Sequence, residues 1–237
     1  MKTNQLWLKQ ITKFSLILMM GVSMSANASL FGGSKSWKEE VLLHDGRKII
    51  VERYFNLDWP TIESTERKEL DETVTFTLPV SNKKITWKTE FNDSTPDLND
   101  LSILLLDVVN GVPYIAARPA GCIGFNKWNR PNPPYIFFKY VGDNWKRIAI
   151  EEFPAELSKA NVILSSPPTE LLKPFYTAEQ VNAQNNDGIR AEGSRTIIRT
   201  PFAIEENRCP ELVYYKGAWV APGDSIGRRM MDHTHPK

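Results

Sequence analysis

The 237-residue chain has only two cysteines and three histidines, and no apolar run long enough to span a bilayer. Two cysteines leave no paired C-x-x-C and so none of the usual thiolate zinc frameworks. No G-x-S-x-G, H-E-x-x-H or G-x-x-x-x-G-K-[ST] stretch occurs, which removes the common signatures of α/β-hydrolase, zincin and P-loop chemistry. An excess of charge is missing too. With 29 basic residues against 28 acidic ones, no global field recruits nucleic acid or an anionic membrane. What the chain does have is 41% apolar and 24% charged residues, enough for a sizeable core and unlike disordered or collagenous sequences.

The first residues read as an address. Lys2, Lys9 and Lys13 precede the apolar run Phe14–Val22, and small residues follow up to Ala26-Asn27-Ala28. This is the three-part pattern of a secretory signal, with cleavage predicted after Ala28. The run is too short for a membrane anchor, which needs about 20 apolar residues, and no cysteine follows it to carry a lipid. The expectation is therefore a periplasmic or secreted protein of residues 29–237 with no membrane span. Losing the three lysines leaves 26 basic against 28 acidic residues, so the exported part is mildly acidic.

Export changes the reading of Cys122 and Cys209, because an oxidising compartment permits a disulfide. The two cysteines have one possible intramolecular pairing, whose loop closure is worth roughly 4–5 kcal/mol in the chain-entropy model. A reactive thiol needs a pKa-lowering setting, and no such setting is legible here.

Turn signals recur along the exported part. Asp45-Gly46 sits between Glu39–Leu43 and Arg47–Phe55; a two-residue loop there places His44 opposite Arg47 and Val41 opposite Ile50. The clusters Val41-Leu42-Leu43 and Ile49-Ile50-Val51 suggest strands covered on both faces. A second hairpin is predicted from Val74–Leu78 through Ser81-Asn82 to Ile85–Phe91. A third turns at Asn110-Gly111, with Pro113 implying an edge or bulged strand. A fourth joins Tyr135–Val141 to Trp145–Ile150 across Gly142-Asp143-Asn144. Shorter strands are expected at Asn161–Ser165, Arg195–Thr200, Leu212–Tyr215 and Ala218–Val220. The pattern predicts an all-β fold of antiparallel hairpins, a sandwich, barrel or meander. One short helix is expected near 177–186, opened by Thr177 with Gln180 three residues on. Residues 56–73 read as a polar connecting loop. The Ser165–Thr169 stretch is the best linker, so 170–237 is a possible C-terminal subregion of one domain.

Several segments resemble a group of uncharacterised exported proteins of Gram-negative bacteria: Ser36–Gly46 (SWKEEVLLHDG), Ile49–Arg53, Ile85–Lys88, Asn110–Tyr114, Asn126–Tyr135 (NKWNRPNPPY) and Glu151–Pro154. The resemblance implies export and a β-rich organisation, and carries no activity.

Three places invite chemistry. In Asn126–Tyr135, three prolines stiffen a loop bearing Trp128, Asn129, Arg130 and Tyr135, a set suited to binding a sugar, a peptide or a partner protein; the plainer alternative is a structural loop whose Trp128 fills the core. Asp107 interrupts the apolar run Ile103–Val109. Opposite Tyr114 it is a candidate general acid of raised pKa, or simply a solvent-facing carboxylate on an edge strand. The oxygen-rich run from Asn92 to Asp100 lacks the spacing of a calcium loop and suits turns and caps. His44 beside its turn reads as a surface residue, while His233, His235, Arg228 and Arg229 read as a solvated tail. No cofactor and no metal site are predicted. The favoured function is a module binding a protein or cell-wall glycan in the bacterial envelope; the alternatives are a carboxylate-dependent hydrolase of an envelope polymer and a structural subunit of an envelope assembly.

Overall fold

The computed structural model describes residues 33–58, 67–89, 100–186, 192–203 and 209–234. The signal-like segment, the loop from Asn92 to Asn99, and His235 lie outside these residues. Two antiparallel sheets dominate. Strands β1 (Gly33–Leu42), β2 (Lys48–Leu57), β3 (Glu69–Thr77) and β4 (Lys84–Lys88) form one sheet, in the order β4-β3-β2-β1-β9, where β9 (Phe175–Tyr176) adds parallel to β1. The other runs β5 (Leu101–Val109), β6 (Val112–Pro119), β7 (Ile136–Val141) and β8 (Asn144–Ile148) in sequence order. A small hairpin, β10 (Val213–Tyr215) and β11 (Ala218–Val220), stands apart from both.

Alternation explains the first sheet. Along β1 and β2 the buried side chains are Trp37, Glu39, Val41 and then Ile49, Val51, Arg53, Phe55, Leu57, all on one face, while Leu42 and Ile50 are about half exposed on the other. The expectation of strands covered on both faces is thus corrected, and with it the register. Val41 pairs with Ile49, not Ile50, because Leu43 closes the chain reversal with two backbone bonds: its N–H donates to the Arg47 carbonyl (2.8 Å), and its carbonyl accepts from the Gly46 N–H (3.0 Å). The loop is His44-Asp45-Gly46. Three residues let both apolar pairs face inward, whereas a one-residue slip would turn one strand's set to solvent.

The inner face of the first sheet packs on the second. Val41, Val51, Val74, Phe76, Ile85 and Trp87 share a core with Ile103, Leu106, Ile115, Ile136 and Phe138, and Trp87 meets Phe138 edge-on at 5.6 Å between ring centroids. The opposite face of the second sheet is covered as well: Leu105, Tyr114 and Phe137 lie under Phe153, Leu157 and Ile197. That double cover is why Leu101–Val109 reads as an almost unbroken apolar run. The architecture is a β-sandwich with a loop layer on one side.

Local signals hold at the other turns. Asn110 and Gly111 both take positive φ (51° and 79°) with Val109 opposite Val112, as a type I′ turn requires. Gly142-Asp143 and Lys216-Gly217 do the same. Pro113 is not on an edge strand, since β6 lies between β5 and β7. Its missing donor goes unused because β7 pairs only from Tyr114 onward; the bulge falls in β5, at Ile103/Leu105.

Other expectations need correction. Asn161–Ser165 and Arg195–Thr200 contain no strand beyond a single bridge, Lys159 to Thr196. Of the supposed loop 56–73, Asn56-Leu57 and Glu69–Thr73 are strand, and Asp71 and Glu72 are buried there. The helix α2 (Ala178–Asn186) is present, with the Gln180 N–H donating to Thr177 Oγ1 and the Thr177 N–H to Gln180 Oε1. It is not alone: α1 (Gly121–Lys127) and α3 (Ser225–Thr234) also form, the latter from the supposed tail. Cys122 on α1 is bonded to Cys209, Cα to Cα 5.1 Å. No described helix is long and apolar enough to cross a membrane.

Candidate functional site

Asp107 is a charge in an apolar strand, and a buried carboxylate must find donors. It is 2% exposed and finds three: the His44 N–H donates to Oδ2 (2.8 Å), the Val108 N–H to Oδ1 (2.7 Å), and His44 Nδ1 lies 2.7 Å from Oδ1. The three-residue turn makes this possible by carrying His44 off the end of β1 onto β5. Asp107 does oppose Tyr114 in register, but the side chain it bonds is histidine. It neither points to solvent nor stands unpaired.

The imidazole is fixed by this carboxylate. An ionised Asp accepts only, so Nδ1 carries the hydrogen and Nε2 is left as the free ring nitrogen. The hydrogen bond to Asp107 raises the His44 pKa above its ordinary 6.5, partial burial opposes the rise, and Asp45 and Glu156 add to it.

His44 and Asp107 line a cleft of about 520 Å³, within the usual range for small-ligand sites. Its apolar surface comes from Leu42, Leu105, Leu157 and Val181; Glu156, Ser158, Lys159 and Asn161 form a polar wall, and Glu179 and Asn182 on α2 another. Asn161 locks the polar wall in place. Its amide accepts from Leu106 N–H (3.0 Å) and donates to the carbonyls of Leu106 (2.8 Å) and Leu42 (3.1 Å), so one side chain bridges β5 to the end of β1. The α2 wall is held by Glu40, whose carboxylate accepts from the Ala178 N–H (3.0 Å), and by Lys48 between Glu40 and Glu179. Lys48 holds the Glu179 carboxyl down to about 2. No Phe, Tyr or Trp is among the described lining residues.

The residues nominated in Asn126–Tyr135 do not line this cleft. Trp128 is buried in the inter-sheet core, its Nε1–H donating to Asp100 Oδ2 at 3.2 Å, with the Lys127 ammonium 2.8 Å from the same oxygen. Tyr135 is buried, its hydroxyl donating toward the carbonyls of Gly193 (2.9 Å) and Thr196 (3.2 Å). Arg130 donates to the carbonyls of Cys209 (3.1 Å) and Pro210 (3.0 Å) and stacks over Phe125, clamping the segment that carries the disulfide. Asn129 is exposed, at φ 61°.

A second polar cluster was not legible beforehand. On the inner face of the first sheet, Arg53 lies between Glu39 and Glu72, all three at most 3% exposed. Arg53 Nη1 donates to Glu39 Oε1 (3.0 Å), and Nε pairs with Glu72. The Trp37 indole N–H and the Ile163 N–H complete Glu39. This layer separates the inter-sheet core from a smaller one of Trp37, Phe55, Ile163, Tyr176 and Val181, and its place among fully satisfied partners marks it as structural. Among the described residues, no three His, Cys, Asp or Glu side chains are grouped closely enough to hold a metal. No family model, curated protein or solved structure matches the chain.

Proposed function

We propose that this is an exported β-sandwich binding protein of the bacterial envelope that takes a segment of another protein into the His44–Asp107 cleft. The observation that carries the reading is the cleft itself, with apolar and hydrogen-bonding walls around an oriented imidazole. Peptide is favoured over glycan because sugar sites commonly offer the broad face of a Trp, Tyr or Phe, and none of these is among the described residues lining this one. A peptide instead asks for amide partners and shallow apolar pockets, which Asn182, Ser158, Leu42 and Val181 offer. Export is supported by the signal-like start and by a disulfide compatible with an oxidising compartment. A photo-crosslinking residue in place of Leu42, used in living cells and read by mass spectrometry, tests the ligand. Crosslinks to a protein segment are expected; crosslinks confined to cell-wall fragments would replace peptide with glycan. Recovery of a chain beginning at Ser29 from the periplasmic or secreted fraction tests export.

A further inference from the structure

We propose that His44 and Asp107 act as a general-base dyad and that the cleft hydrolyses an ester or amide bond in the segment it binds. This rests on the reading that the cleft is where the segment sits, and goes beyond it by assigning chemistry. Holding the turn needs only the His44 N–H on Asp107 Oδ2 (2.8 Å). The second bond, from the ring Nδ1 to Oδ1 at 2.7 Å, does something more: it fixes ring orientation and tautomer, leaving Nε2 the atom that can take a proton at the cleft. A base oriented by a buried carboxylate is the arrangement that hydrolytic sites use on unrelated folds.

The step balances without a cofactor. Nε2 takes a proton from a water as its oxygen bonds the substrate carbonyl carbon, and the carbonyl electron pair moves to oxygen. When that pair returns, the bond to the alcohol or amine breaks, and the leaving group departs with the proton from the imidazolium. One water is added across one bond, nothing is oxidised or reduced, and Asp107 stays ionised throughout, balancing the transient imidazolium. Lys159 is the one lysine or arginine among the described residues lining the cleft, and its cation suits the developing oxyanion. The charged groups facing His44 are Asp107 from β5, Asp45 on its own turn, and Glu156 from the polar wall, all favouring the imidazolium. Arg47 is paired with Asp45, and Glu179 with Lys48.

The test is turnover of p-nitrophenyl acetate by the purified protein across pH 5–9, with H44Q and D107N alongside, each checked for native circular dichroism and an intact disulfide. The native rate is expected to exceed that of H44Q about a hundredfold, and to fall in acid with a midpoint above 6.5. In D107N the midpoint moves to lower pH, a change that a merely structural pair would not produce in a rate profile. Equal rates for native protein and H44Q, or a native rate with no midpoint, would overturn the dyad; if H44Q does not fold, the native and D107N midpoints decide. The two readings fail separately. A crosslinked peptide with no esterase activity leaves binding and removes the dyad, whereas esterase activity with only glycan crosslinks keeps the dyad and removes the peptide.

Discussion

Asp107 and Glu72 are both acids on interior strand positions, and the chain satisfies them differently. Asp107 receives two backbone N–H groups and an imidazole at the margin of a cleft. Glu72 shares a fully enclosed arginine with Glu39, and burial pushes its carboxyl up to about 7 despite the cation. Replacing Arg53 with methionine leaves two enclosed acids without their cation and is expected to cost about 3–5 kcal/mol in a urea unfolding curve. The pH dependence has a definite sign at both places. Glu72 has a raised folded pKa, so the folded chain holds a proton that the unfolded chain releases above about 4.5; stability from this group is lost as pH rises toward 7. His44, also raised, contributes fully below 6.5 and loses its contribution as pH climbs through its folded value. Urea midpoints are expected to decline from pH 5 to pH 8, with E72Q flattening the lower part of that decline and H44Q the upper.

At the scale of elements, the hairpins were legible because their turns are local chemistry. Asn110-Gly111 and Gly142-Asp143 need positive φ, and their residues tolerate it. Asp45-Gly46 marked the right place but not the loop length. There the Asp45 carboxylate accepts from the Arg47 N–H (3.0 Å) and pairs with its guanidinium, while Gly46 at φ 86° makes a third loop residue possible. G46A should therefore lower the thermal midpoint, at a cost on the order of 1 kcal/mol, and displace the His44 imidazole resonances in an NMR spectrum. What sequence did not disclose is what only tertiary contact creates. β9 is two residues held to β1, with Lys38 N–H donating to the Pro174 carbonyl. The start of β3 is polar by composition and became strand because Asn56 reaches Asp71, Thr89 reaches Glu72 and Arg53 lies beneath. The same limit applied to the site: Asp107 stood out as a charge in an apolar run, but its partner is 63 residues away, and neither residue alone distinguishes a dyad from a surface pair.

For the whole molecule, the disulfide pins the stretch that leads into the last hairpin and α3. Arg130 and Asn126 hold the Cys209–Leu212 stretch through backbone carbonyls and the Leu212 N–H, and the covalent bond adds to these. A C122S/C209S double variant is expected to lose up to roughly 4–5 kcal/mol in denaturant unfolding, with most of the far-UV circular dichroism retained because neither cysteine lies on a strand of either sheet. The bond also changes what the molecule is as a covalent graph. Residues 122–209 form a closed ring with two tails, one carrying β1 to β6, the other the last hairpin and α3. A single protease cut anywhere in that ring opens it without releasing a piece: the mass rises by one water, and two fragments separate only when a reductant is added.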